Sequence, residues 1–395
     1  MTSDSAVGVV EIERASTLEL FLDLVFVFTV TQLTELVAHP DGPRSYGQAA
    51  LILAVTFWMY DGFVWLTGTV SLARPAIRIG IFAAMAGFLV MAMAIPTAFG
   101  PSDSSSFDGG VAFGAAYLAV TLIHAGLFAT APTSSATAIW RLAPFNVAGA
   151  GLVLAAGFVD EDWRWVLWLL AVAIMVSNTV MRREQGFTLS ATHFVERHGL
   201  VILIALGESI VAIGAGTAGL KIDAALAATA ALALALSASM WWLYFDRDDE
   251  RAGQVLVSTA GGGRARLGMW IAYTHLVMVA GVVLMAAGVE SIVAHPKDPA
   301  DTAAAWNLAV GSAVYLLGEG WFRSSLGIGP WVRRLVASAL LLATVAVGRA
   351  SSGLAQLTVA VLVVVAVLVF EAREPDDTVG TRATGRTDVG RALDD

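Results

Sequence analysis

Cysteine is absent from the chain, which removes disulfides, thiolate metal sites and cysteine nucleophiles at one step. Charge is scarce too. Asp, Glu, Lys and Arg make up 14% of the residues, against roughly 25% in an ordinary soluble domain. No block of Lys and Arg is dense enough to suggest a nucleic-acid partner. The first residues, Met1 to Ser16, are polar and acidic. They lack the basic and apolar regions of a secretory signal, so insertion through an internal first span is expected. GxSxG, Walker, HExxH and EF-hand patterns do not occur, and neither a cofactor nor a metal site is expected. What remains is apolar bulk. Of 395 residues 57% are hydrophobic, and the mean hydropathy is +0.74. Long, nearly uncharged runs recur from Leu18 to Phe370 between short loops. These features define an all-α polytopic membrane protein.

Runs of about 20 apolar residues give twelve expected spans. They are 18–37, 46–66, 77–98, 109–130, 138–158, 162–180, 199–219, 222–245, 265–289, 303–322, 331–349 and 353–371. Assigning loops alternately to the two sides puts eighteen Lys and Arg residues with the N-terminus and five on the other side. That asymmetry fits the positive-inside rule, an even number of spans, and both termini in the cytoplasm of a bacterial inner membrane. The chain then divides into a cytoplasmic segment 1–17, a first six-helix half 18–180, a cytoplasmic connector 181–198, a second half 199–371 and a polar tail 372–395 expected to be disordered.

The two halves resemble each other. Asp61 closes the second span after Trp58-Met59-Tyr60, and Asp246 closes the eighth after Trp242-Leu243-Tyr244-Phe245. Arg74 and Arg78 precede or open the third span, as Arg264 and Arg266 do the ninth. Six spans return the chain to its starting side, so two such repeats would be parallel and related by an axis along the membrane normal.

Several acids lie inside these apolar runs. Glu208 is about ten residues from either end of its span, and at ~1.5 Å rise per residue that places it near the bilayer midplane. An ionised carboxylate there costs several kcal/mol unless it is paired, protonated or hydrated. A structural explanation also exists, a protonated Glu208 hydrogen-bonding to a neighbouring helix. Glu19 and Asp23 are four residues apart and share a helix face. They suit either a ligand site or an acidic first turn that favours the helix dipole. His193 and Arg197 likewise share a face, and Glu196-Arg197-His198 brings acid, fixed cation and imidazole to one boundary. Arg197 alone would also serve as a positive-inside anchor.

Two segments carry these residues: Glu19-Leu20-Phe21-Leu22-Asp23-Leu24-Val25-Phe26-Val27, continuing to Gln32, and Glu196-Arg197-His198-Gly199-Leu200 leading to Leu206-Gly207-Glu208-Ser209. In the two halves Glu19 stands opposite Glu196 and Thr31 opposite Glu208. Together the segments resemble the motifs of the bacterial low temperature requirement protein A family. The resemblance covers the membrane portion and not the tail. It implies a many-span inner-membrane protein linked by name to growth in the cold, and it implies no molecular activity.

Secondary candidates are weaker. His124, His275 and Asn146 lie within spans and suit packing as well as function. Glu319 is four residues before Arg323, a spacing that favours a local ion pair. Asp61 and Asp246 follow aromatic clusters that an interfacial belt explains. His193, Glu196 and His198 are poorly spaced for a metal. Three functions then remain open. The first is a permease-like carrier of a small solute, with Glu208 and Asp23 as protonatable sites tuned by Arg197 and His198. The second is an enzyme acting on a lipid head group at the cytoplasmic face, using Glu19, Asp23, Glu196, Arg197 and His198. The third is a structural or sensory protein whose partners are the membrane lipids.

Overall fold

The computed structural model describes residues 15–100, 108–181 and 186–373. The expected segment 1–17 and tail 372–395 fall largely outside them. Among the described residues the chain forms thirteen α-helices and no strand. They are α1 (Thr17–Ala38), α2 (Pro43–Thr67), α3 (Pro75–Ala94), α4 (Gly109–Phe128), α5 (Thr133–Ala156), α6 (Glu161–Val180), α7 (Ala191–Thr217), α8 (Ala224–Phe245), α9 (Asp248–Ser258), α10 (Gly262–Ala294), α11 (Thr302–Leu326), α12 (Val332–Ala350) and α13 (Gly353–Ala372). Nine are long and apolar enough to cross a membrane. The other long helices, α6, α11 and α12, carry charge, with Glu161, Asp162 and Arg164 in the first, Glu319 and Arg323 in the second and Arg333, Arg334 and Arg349 in the third.

Side chains close several helix starts, where the first N–H groups have no partner within the helix. Ser16 and Glu19 make a capping box on α1, and Asp108, Asp223, Asp301 and Ser352 accept from the first turns of α4, α8, α11 and α13. Small residues set the closest packing. A Cβ on Gly288 of α10 would lie 2.3 Å from the Leu308 nitrogen of α11, and one on Gly311 would lie 2.2 Å from that of Met285. The two backbones therefore touch, the usual route to helix association where lipid removes the hydrophobic drive. Outward faces carry exposed Leu24, Ile79, Met93 and Leu362, as expected of surfaces facing acyl chains.

The neighbour pattern recurs. In the first half α1 packs on α2 and α3, α3 on α4, α4 on α5, α5 on α6, and α6 returns to α2. Substituting α7, α8, α10, α11, α12 and α13 in order gives the same set of pairs. Between the halves α1 lies against α7 and α10.

Three expectations are altered. The connector 181–198 is shorter, because α7 begins at Ala191. In its first two turns His193, Arg197 and His198 are buried while Thr192 is exposed and Glu196 half-buried. His193 and Arg197 find partners inside the bundle. The ninth span lengthens to the 33 residues of α10. The loop expected between Asp246 and Arg266 contains α9, whose Ala252 and Leu256 are buried while its opening Asp249 and Glu250 face outward or lie half-buried.

Candidate functional site

Helices α1 and α7 run side by side, joined by contacts at nearly constant separation along the chain. Glu196 accepts from the Ala15 N–H at 3.3 Å, and Nε2 of His193 donates to Glu19 at 2.7 Å. Further along, Arg197 donates to both oxygens of Asp23, at 2.8 and 2.6 Å, and Thr31 donates to Glu208 at 2.6 Å. The helices are therefore parallel and in register. The Arg197–Asp23 pair is bidentate, the geometry to which a planar guanidinium is suited. Tyr60 of α2 adds a hydrogen bond to Asp23 at 2.8 Å. Arg197 also stands 3.9 Å from Glu19. Glu19, Asp23, Arg197 and His193 are all buried, so the centre is enclosed by protein. Glu196, at its edge, is half-buried.

His198 continues the network toward the second half. Its Nδ1–H donates to the Phe194 carbonyl at 2.9 Å, and its Nε2 lies 3.3 Å from Asp61 of α2. Its ring meets His275 of α10 edge-on. His275 spends Nδ1–H on the Ile271 carbonyl and accepts from the Tyr244 hydroxyl at 2.9 Å. Tyr60 and Tyr244 are thus fully buried polar partners rather than members of an interfacial belt, which corrects that expectation; Trp241 and Trp242 are the exposed aromatics of α8. Asp246 is exposed and pairs with Arg247.

Glu208 differs from the other acids. It is buried, its one hydrogen bond among the described residues is from Thr31, and no cation there lies within ion-pair distance. Ser209 beside it is buried, and its hydroxyl has no hydrogen-bond partner among the described residues. Gln32 is half-buried and makes no hydrogen bond among the described residues.

Glu319 is not paired with Arg323. Its carboxylate receives Arg334 of α12 at 2.9 and 3.2 Å, because the helix face of α11 that buries Glu319 turns toward α12. Arg334 also donates to Glu371 at 2.6 Å. Arg323 joins Glu371 at 2.9 Å and pairs with Asp248 of α9. Sequence reasoning missed this second network. Its hydrogen-bonded pairs lie 15 to 75 positions apart, so no helical spacing announces them.

Elsewhere, His124 donates Nε2–H to the Gly62 carbonyl at 2.9 Å, and Asn146 accepts from Trp58 at 3.2 Å. Glu35, His39 and Glu290 form a cluster with metal-ligand spacing that the sequence did not suggest, with two of its members exposed.

A profile described as bacterial low temperature requirement A protein matches residues 14–369. The uncharacterized protein RA0937 of Rhizobium meliloti (strain 1021) is 25% identical over 319 residues, covering 78% of this chain and 77% of its own. No solved structure matches.

Proposed function

The chain belongs to the bacterial low temperature requirement A family, and from that premise we propose that it is an inner-membrane carrier of a small solute, coupled to protons at Glu208. The reading has twelve spans, cytoplasmic termini and two parallel six-helix repeats. The recurrent neighbour pattern of the helices supports the repeats, and the distribution of Arg and Lys supports the orientation. The observation that carries the proposal is Glu208 itself: a deeply placed carboxyl with no cation beside it, lying where the two halves meet. Such a group is suited to taking up and releasing a proton as its surroundings open and close. Asp23 serves a different purpose in this reading. Arg197 and Tyr60 hold it, so it acts as a latch between the halves, released when the carrier changes state.

Proton movement is the test. The protein is reconstituted into vesicles containing a pH-sensitive dye, and gradients of candidate solutes are imposed. Solute-evoked proton flux is expected from the natural chain. Glu208→Gln, nearly isosteric, is expected to keep its thermal stability and lose the flux. Undiminished flux in Glu208→Gln would sink the coupling role.

A further inference from the structure

Asp61 of α2 is buried, and among the described residues its Oδ1 accepts no hydrogen bond, with Nε2 of His198 3.3 Å from it. It lines two adjoining cavities. One has a volume of about 50 Å³ and is walled by Trp58, Trp65, His124, Phe128, Asn146 and Phe187; the other adds Phe57 and Tyr273. About 10–15 Å³ suffices for one water, so the first cavity has room for more than that.

The walls have a definite chemistry. Gly62 lets α4 approach α2, since a Cβ there would lie 3.0 Å from Nε2 of His124. With Nε2–H given to the Gly62 carbonyl, the second nitrogen of the neutral ring, Nδ1, is an acceptor, and it has no hydrogen-bond partner among the described residues. Trp58 spends its N–H on Asn146, which leaves the face of its indole as its remaining polar feature. Asp61 is the one charged residue in the lining. Its basic neighbour His198, 3.3 Å away, does not line either cavity. A carboxylate, an imidazole acceptor and indole faces form the arrangement that binds organic cations, through charge and through the ring quadrupoles. An anion would meet the charge of Asp61.

We propose that this cavity binds a small organic cation, a protonated amine or methylated ammonium, with Asp61 as counter-ion and Trp58 and Trp65 as its aromatic walls. This names the solute class for the carrier reading and rests on that reading for transport alone, because binding is measurable without it.

The experiment uses the full chain in detergent, with ethylammonium and tetramethylammonium chloride as probes. Sodium chloride at equal ionic strength and ethanol are the controls. A saturable, concentration-dependent rise in melting temperature is expected with the two cations, accompanied by a tryptophan fluorescence change, and absent with both controls. Asp61→Asn is expected to weaken binding at least tenfold. Trp58→Leu supplies the same comparison where Asp61→Asn does not fold. Binding is read in detergent with no gradient imposed, whereas coupling is read as proton flux in vesicles, so loss of the site and loss of coupling are distinguishable. A natural chain giving no saturable shift, meaning that only water occupies the cavity, overturns the proposal. So does a shift matched by sodium, or full affinity in both lining variants.

Discussion

Thr31 donates its hydroxyl to Glu208 across 177 positions of the chain, and these are the residues that stand opposite each other when the two halves of the sequence are aligned. In the proposed two-repeat reading, equivalent positions touch only where the axis relating the repeats passes, which puts α1, α7 and Glu208 beside that axis. Thr31→Val keeps the side-chain shape and removes the donor. The expected loss is about 1 kcal/mol for a neutral acceptor and about 2–3 kcal/mol for a charged one. Thermal unfolding in detergent then reports the charge state of Glu208, and an unchanged midpoint would mean that the contact contributes nothing.

Removing one partner of a buried ion pair strands the other. Arg197→Met leaves Glu19 and Asp23 without their guanidinium in an enclosed site, and a cost of about 3–5 kcal/mol is expected. Adding Asp23→Leu to Arg197→Met should recover part of that loss, since an apolar pair of similar size removes the unpaired charge. If the double variant melts below the single one, the pair has been wrongly identified as the source of the effect.

The same logic separates the two possible partners of Glu319. With the pairing to Arg334, Arg334→Met is expected to destabilise far more than Glu319→Gln and Arg334→Met combined differ from Arg334→Met alone. A double-mutant cycle is the measurement. Coupling of Glu319 to Arg323 larger than its coupling to Arg334 would reverse the assignment.

Sequence reasoning recovered the parts of this architecture that depend on local pattern. Apolar runs located every long helix, and i, i+4 spacing put Glu19 with Asp23 and His193 with Arg197 on shared faces. The need of partly buried opposite charges for one another pointed Arg197 to Asp23 or Glu19, and the bidentate partner is Asp23. The same reasoning failed where a local rule competed with a distant partner. Glu319 and Arg323 have ideal helical spacing, yet packing of α12 against α11 brings Arg334 closer. Tyr60 and Tyr244 looked like interfacial aromatics because their burial depends on tertiary placement that spacing does not encode. The short helix α9 escaped notice because eleven residues with three leading acids read as a loop.

Backbone contact between α10 and α11 gives a steric prediction. A leucine at position 288 has no room beside the Leu308 backbone, so Gly288→Leu must separate the two helices. Overpacking of this kind costs roughly 1–3 kcal/mol, occasionally more. Gly214→Leu is the control, because a Cβ there meets nothing within 4 Å. Equal melting temperatures for the two variants would show that the close approach is not needed.

The orientation of the bundle is open to a direct test. Arg247, Arg251, Arg264 and Arg266 flank or occupy the segment between α8 and α10, and such a concentration of basic residues resists translocation. Reporter fusions within α9 are therefore expected to be cytoplasmic, on the same side as fusions after Arg373. Fusions after Lys297 are expected on the opposite side, because α10 separates Lys297 from α9 by one crossing. An external α9 would remove one crossing from the first eight long helices. The two halves could not then be parallel, α1 and α7 could not lie side by side in one register across a bilayer, and both the repeat and the central placement of Glu208 would fall together.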